Sequence, residues 1–116
     1  MFYLNIVLIW CIFILGASGS WASGLFPNKR AKILYMNACA ECHGRKGHGA
    51  EEGPGLRNND YIKKSSPKKI IALIKKGIQN TNTRYFDKYI EGMPASENLT
   101  EEETKTLAGL LKKWNP

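Results

Sequence analysis

Five residues, Cys39-Ala40-Glu41-Cys42-His43, constrain this chain more than any other part of it. Two thiols stand three positions apart, and an imidazole follows the second directly. The preceding stretch has helical periodicity. On a helix, positions i, i+3 and i+4 share a face, so Cys39, Cys42 and His43 are expected to point the same way. Thiols placed like this can add to the two vinyl groups on one side of a porphyrin, which brings the imidazole beneath the iron. The tether then keeps the imidazole at high effective concentration there. C-x-x-C-H is a haem attachment signal.

Two other chemistries use similar residues. A thioredoxin-like thiol pair would follow a strand in an α/β chain, and no strand run is legible here. A structural zinc site would draw on Cys39, Cys42, His43 and His48. Adjacent Cys42 and His43 rarely serve one tetrahedral ion, however, and the second half of a zinc motif is missing.

The compartment follows from the N-terminal region. Its first basic residue is Lys29 and its first acidic residue is Glu41. Ile6 to Leu15 is an unbroken apolar run, and Gly16 to Gly24 is rich in small residues, with Ser20 and Ala22 where an export peptidase reads. The pattern predicts a signal peptide over 1–22, cleaved after Ala22, although no Lys or Arg precedes its core. Uncleaved, the same segment would be an N-terminal anchor, although the run falls short of the ~20 apolar residues of a spanning helix. Either way, residues 23–116 are expected to be exported as one domain. Removing 22 of 116 residues leaves 94, and Cys11 leaves with the leader. Cys39 and Cys42 then remain alone in an oxidising compartment, closing too short a loop to staple a fold. They need a chemical role.

All 17 basic and 10 acidic residues fall in the exported part, which carries the net charge of +7. Acidic protein surfaces or anionic lipid are the expected partners of such a surface. Nucleic acid is not expected in the periplasm.

Behind the leader the pattern is helical. Asn28 is a candidate cap for a first helix running towards Cys42, with Ala31, Leu34, Tyr35 and Ala38 on one face. Gly44 to Gly55 holds five glycines and a proline, so it reads as loop. Ser66 caps a second helix, with Pro67 at its first position and Gly77 past its end. Ile70, Ile71, Leu73 and Ile74 form its apolar set, and lysines line the outer face. No helical periodicity spans Gly77 to Leu99, apart from a short turn expected near Arg84 to Ile90. Thr100 and Glu103 form a capping box for a last helix striped by Leu107, Ala108, Leu110, Leu111 and Trp114. The class is all-α, with three or four short helices. A domain of this size buries only about 60–65% of its unfolded surface. A large apolar cofactor at the centre would make up the shortage.

CxxCH after a helix bearing Tyr35, the glycine-rich loop, Gly53-Pro54-Gly55-Leu56, a later Met93-Pro94 and a closing aromatic-bearing helix together resemble a small bacterial monohaem cytochrome c of the class I type. The likeness runs from about Asn28 to Trp114. It implies that Cys39 and Cys42 form the thioether bonds to one haem c and that His43 is the proximal ligand. It further implies that the Pro54 carbonyl accepts a hydrogen bond from the other imidazole nitrogen, and that Met93 is the distal ligand. Met36 shares a helix with the cysteines and has no clear path to the opposite haem face; His48 reads as a surface imidazole. Tyr35 and Trp114 are expected to meet between the first and last helices, near Leu34, Leu107 and Leu111. The long stretch from Ile78 to Glu91 departs from the simplest family pattern and leaves the route of the methionine loop open.

Iron with four porphyrin nitrogens, His43 and Met93 has no free position, which suits one-electron transfer rather than catalysis. Expected docking residues for redox partners with acidic surfaces are Arg45, Lys46, Lys63, Lys64, Lys68 and Lys69. Two alternatives stay open: a haem c subunit fixed to a dehydrogenase or oxidase complex, and a haem sensor or enzyme with a labile distal methionine.

Overall fold

The computed structural model describes residues 27–79, 88–89 and 92–116. The expected signal peptide over 1–22 lies outside the described residues, as does most of the expected turn near Arg84 to Ile90. Among the described residues no helix is long and apolar enough to cross a membrane.

Helix α1 spans Pro27–Ala38. Asn28 lies inside it rather than capping it. Pro27 takes the first helical position, where a missing N–H is harmless and a fixed φ suits the turn. The Asn28 side chain instead accepts a hydrogen bond from Lys113 Nζ at 3.1 Å. Ala31 and Tyr35 are buried and Leu34 is half-buried, but Ala38 is exposed, because the helix stops there.

The expected single helix through the cysteines is in fact two. Cys39 has φ −126° and ψ −30°, and the short α2 follows over Ala40–His43. Bonds from Cys39 N–H to the Tyr35 carbonyl and from His43 N–H to the Cys39 carbonyl, each 2.9 Å, keep the i to i−4 pattern through the break. The imidazole-bearing turn is thus redirected without losing helical pitch.

Helix α3, Asp60–Lys64, has no counterpart in the sequence reading, because five residues are too few to display a period. Asn59 caps it, its Oδ1 accepting from the backbone N–H groups of Tyr61 and Ile62. Helix α4 covers Pro67–Lys76 with Ser66 as its cap and Gly77 at φ +70° past its end. Helix α5 covers Glu101–Trp114 behind the complete Thr100–Glu103 capping box. Both match the boundaries expected from their caps.

α5 packs against α1 on one side and α4 on the other. Tyr35, Leu107 and Thr104 are the largest fully buried side chains, joined by Ile62, Ile70, Ile74, Leu110 and Leu111. Each fully buried aliphatic side chain contributes roughly 1.5–3 kcal/mol. Tyr35 and Trp114 meet edge to face with ring centroids 4.9 Å apart, as expected of the first and last helices. The described chain has no named strand; one isolated antiparallel bridge joins Ile78 to Met93. The all-α class holds.

Candidate functional site

Cys39 enters the site from the break between α1 and α2, and Cys42 and His43 end α2. The cysteines are half-buried with free thiols, while His43 is only 8% exposed. Gly49 N–H donates to the His43 carbonyl at 2.8 Å, and Leu56 N–H donates to the Gly47 carbonyl at 2.8 Å. These bonds fold the glycine-rich loop back beneath the imidazole.

That fold brings Pro54 to His43. Imidazole Nδ1 stands 2.8 Å from the Pro54 carbonyl oxygen, which fixes Nδ1 as the protonated donor. Nε2 has no hydrogen-bond partner among the described residues. Gly53 makes the approach feasible. A Cβ there would sit 2.7 Å from the Cys42 carbonyl oxygen and 3.0 Å from His43 Nδ1, so any larger residue would push the loop off the imidazole.

Burial pushes the Cys39 thiol up to about 11, with a further rise from Cys42. Cys42 is raised as well, by burial and then by its contact with Glu52 at 3.5 Å. Thiols built for disulfide exchange have lowered values. Among the described residues no three His, Cys, Asp or Glu side chains cluster as a metal-binding group.

Met93 stands on a separate segment, half-buried against the core. Met36 is exposed on α1. His48 is exposed too, at the rim of an open cleft it shares with Pro54, Gly55 and Tyr89. The donor set therefore fits a haem: two thiols and one imidazole on consecutive turns, with one imidazole nitrogen open and the other satisfied.

The sequence profile of the cytochrome c family matches residues 29–114. The chain belongs to the cytochrome c family. Among solved structures it is similar to the KustC0563 c-type cytochrome, with 26% sequence identity and a TM-score of 0.52 over 74% of this chain and 98% of that one. A search of curated proteins returned no match. As a cytochrome c, the protein binds haem c covalently through Cys39 and Cys42, and its chemistry is haem-based electron transfer. Members of the family are in general electron carriers.

Several residues that shape this site in the cytochrome were not singled out from the sequence. Asn59 had a legible signal, an Asn-Asp step of the kind that starts a helix. Arg57, Lys112 and Asn115 had none, because their importance comes from contacts distant in sequence. Arg57 lies 4.0 Å from the Trp114 ring centroid, and its Nε donates to the Lys46 carbonyl.

Proposed function

We propose that this cytochrome c is a periplasmic one-electron carrier whose iron is held axially by His43 and Met93. The observation that carries the reading is the state of His43: Nδ1 is committed to Pro54 and Nε2 is open on a buried ring. A carbonyl on the far nitrogen orients an iron-binding imidazole and makes it more electron-rich. Bound haem supplies the one-electron couple. The chain's part is to shield it from water, fix its ligands and set its potential.

Met93 suits the distal role. It is the only methionine of the exported part outside α1, and its backbone is pinned beside the end of α4. A thioether favours ferrous iron and raises the potential. With both axial positions filled, substrates have nowhere to bind, so the protein is a carrier rather than an enzyme. The net charge of +7 supports brief, steered encounters with acidic redox partners. Arg45, Lys46, Lys63, Lys64, Lys68 and Lys69, all exposed, form the proposed docking face. Replacing them with neutral residues is expected to flatten the salt dependence of electron transfer; an unchanged dependence removes the docking face from the reading. The apolar leader over 1–22 supports export, with the domain freed by cleavage or left attached to the membrane.

The deciding experiment uses exported, mature protein. Haem staining should survive a denaturing gel, and the ferric spectrum should show a far-red thioether band that Met93→Ala abolishes. A band that persists in that variant would falsify the Met93 assignment.

A further inference from the structure

Asn115 directly follows α5 and is 4% exposed, yet its side chain reaches well beyond its own helix. Its Nδ2 donates to the Leu111 carbonyl and to the Leu56 carbonyl, each at 2.8 Å. Its Oδ1 accepts from the Asn59 backbone N–H at 2.7 Å. Asn59 Nδ2 in turn donates to the Gly55 carbonyl at 2.9 Å. Two consecutive carbonyls, of Gly55 and Leu56, are thus each gripped by a side-chain amide. The carbonyl immediately before them is that of Pro54, which lies against His43.

Closing a helix end needs only the bond to Leu111. The other two bonds of Asn115 are spent on the loop under the imidazole. We infer that Asn115, acting with Asn59, is a positioning residue for the proximal imidazole: it holds the Pro54–Leu56 backbone so that the Pro54 carbonyl stays aimed at His43 Nδ1. The inference rests on His43 being the iron's ligand.

The physical link is short. Hydrogen-bond strength falls steeply as distance and angle relax, and a loop freed at Gly55 or Leu56 lets the Pro54 oxygen drift. A weaker bond leaves the imidazole less electron-rich. Ferric iron then loses stabilisation and the reduction potential rises.

Two neutral variants of the haem-loaded protein test this without adding charge near the iron. Asn115→Leu keeps the bulk and removes all three bonds. Asn59→Ser keeps a capping oxygen for α3 but is too short to reach the Gly55 carbonyl. The readouts are the reduction potential and the solvent-exchange rate of the His43 Nδ1 proton, followed by NMR in the ferrous state. Both variants are expected to show a higher potential and an exchange rate faster by about tenfold or more, the scale of effects from groups supporting a metal ligand. Variants that melt earlier but keep the wild-type potential and exchange rate overturn the inference and make Asn115 a fastener of α5 alone. If Asn115→Leu does not mature, Asn59→Ser decides by the same two readouts. Failure of the ligand assignment is seen separately, as wild-type ferrous protein whose His43 ring-proton signals lack the porphyrin ring-current shift of an imidazole bound to haem iron.

Discussion

Met93 and Ile78 exchange both of their backbone hydrogen bonds, Ile78 N–H to the Met93 carbonyl at 2.8 Å and Met93 N–H to the Ile78 carbonyl at 2.9 Å. Ser96 N–H donates to the Ile74 carbonyl at 3.1 Å, so the segment carrying the thioether is fastened to the end of α4 at two places. Gly77 lies at the junction with φ +70°. A Cβ on it would strike the Met93 carbonyl and lie 2.7 Å from the Ala95 nitrogen.

Gly77→Ala is therefore expected to dislodge Met93 while leaving haem attachment intact. Forcing a left-handed backbone on alanine and displacing the neighbouring Met93 segment costs roughly 1–3 kcal/mol. Weaker far-red absorption of the ferric form and ready carbon monoxide binding by the ferrous form are the expected signatures. A spectrum identical to the parent's would separate the bridge from ligation.

Alkaline stability should depend on Tyr35. Its hydroxyl donates to the Gly44 carbonyl at 2.7 Å, and burial raises its pKa from 10.0 to about 12. Between those values the unfolded chain releases a proton that the folded chain retains, so stability falls as pH rises through the window. The contribution is intact below pH 10 and lost progressively towards pH 12, amounting to at most about 3 kcal/mol. Tyr35→Phe should lose about 1 kcal/mol at neutral pH and show a flatter decline above pH 10 in chemical denaturation. Parallel curves for the two proteins would refute the role of this phenol.

How much of this could be read in advance depended on whether the signal was local. Ser66-Pro67 with Gly77, and Thr100 with Glu103, fixed α4 and α5 because a cap acts within one turn. The Cys39 to His43 motif placed the haem site for the same reason. α3 escaped because five residues carry no period, and the break at Cys39 escaped because nothing local announces it. The approach of Pro54 to His43 came only through family resemblance. Asn115 and Lys112 were invisible, since each acts on carbonyls some 47 to 59 positions away in sequence. The distances between such partners are set by packing of α5, which periodicity alone does not specify.

Trp114 and Gly47 should prove energetically coupled. Gly47 has φ +77°, and a Cβ there would come within 2.6 Å of Trp114 Cζ3. The indole thus presses directly on the loop backbone while meeting Tyr35 edge-on. Trp114→Leu is expected to cost about 2–4 kcal/mol. Gly47→Ala should cost less in that background than in the parent, because one of its two penalties, the clash, is gone. A double-mutant cycle from thermal or urea unfolding measures the difference. Strict additivity would mean the loop is held by other contacts.

Lys112 should act as a C-terminal clamp for α3. Its Nζ donates to the carbonyls of Ile62, Lys63 and Ser65 at 3.2, 2.8 and 3.1 Å, so one ammonium serves three acceptors where the short helix ends. A five-residue helix has little intrinsic stability, and a cation on its last carbonyls offsets the negative end of its dipole. Lys112→Met keeps most of the side-chain bulk and removes the charge and all three donors. The expected loss is about 1–2 kcal/mol, or roughly 4–16 °C in melting temperature for a domain of this size. The damage should be concentrated at α3: amide hydrogen exchange of Lys63, Lys64 and Ser65 should accelerate more than that of Leu107 or Leu110 in α5. Lys112→Arg should recover part of the loss, since a planar guanidinium matches converging carbonyls less well than a rotatable ammonium. Uniform acceleration across both helices would instead assign Lys112 a role in global packing.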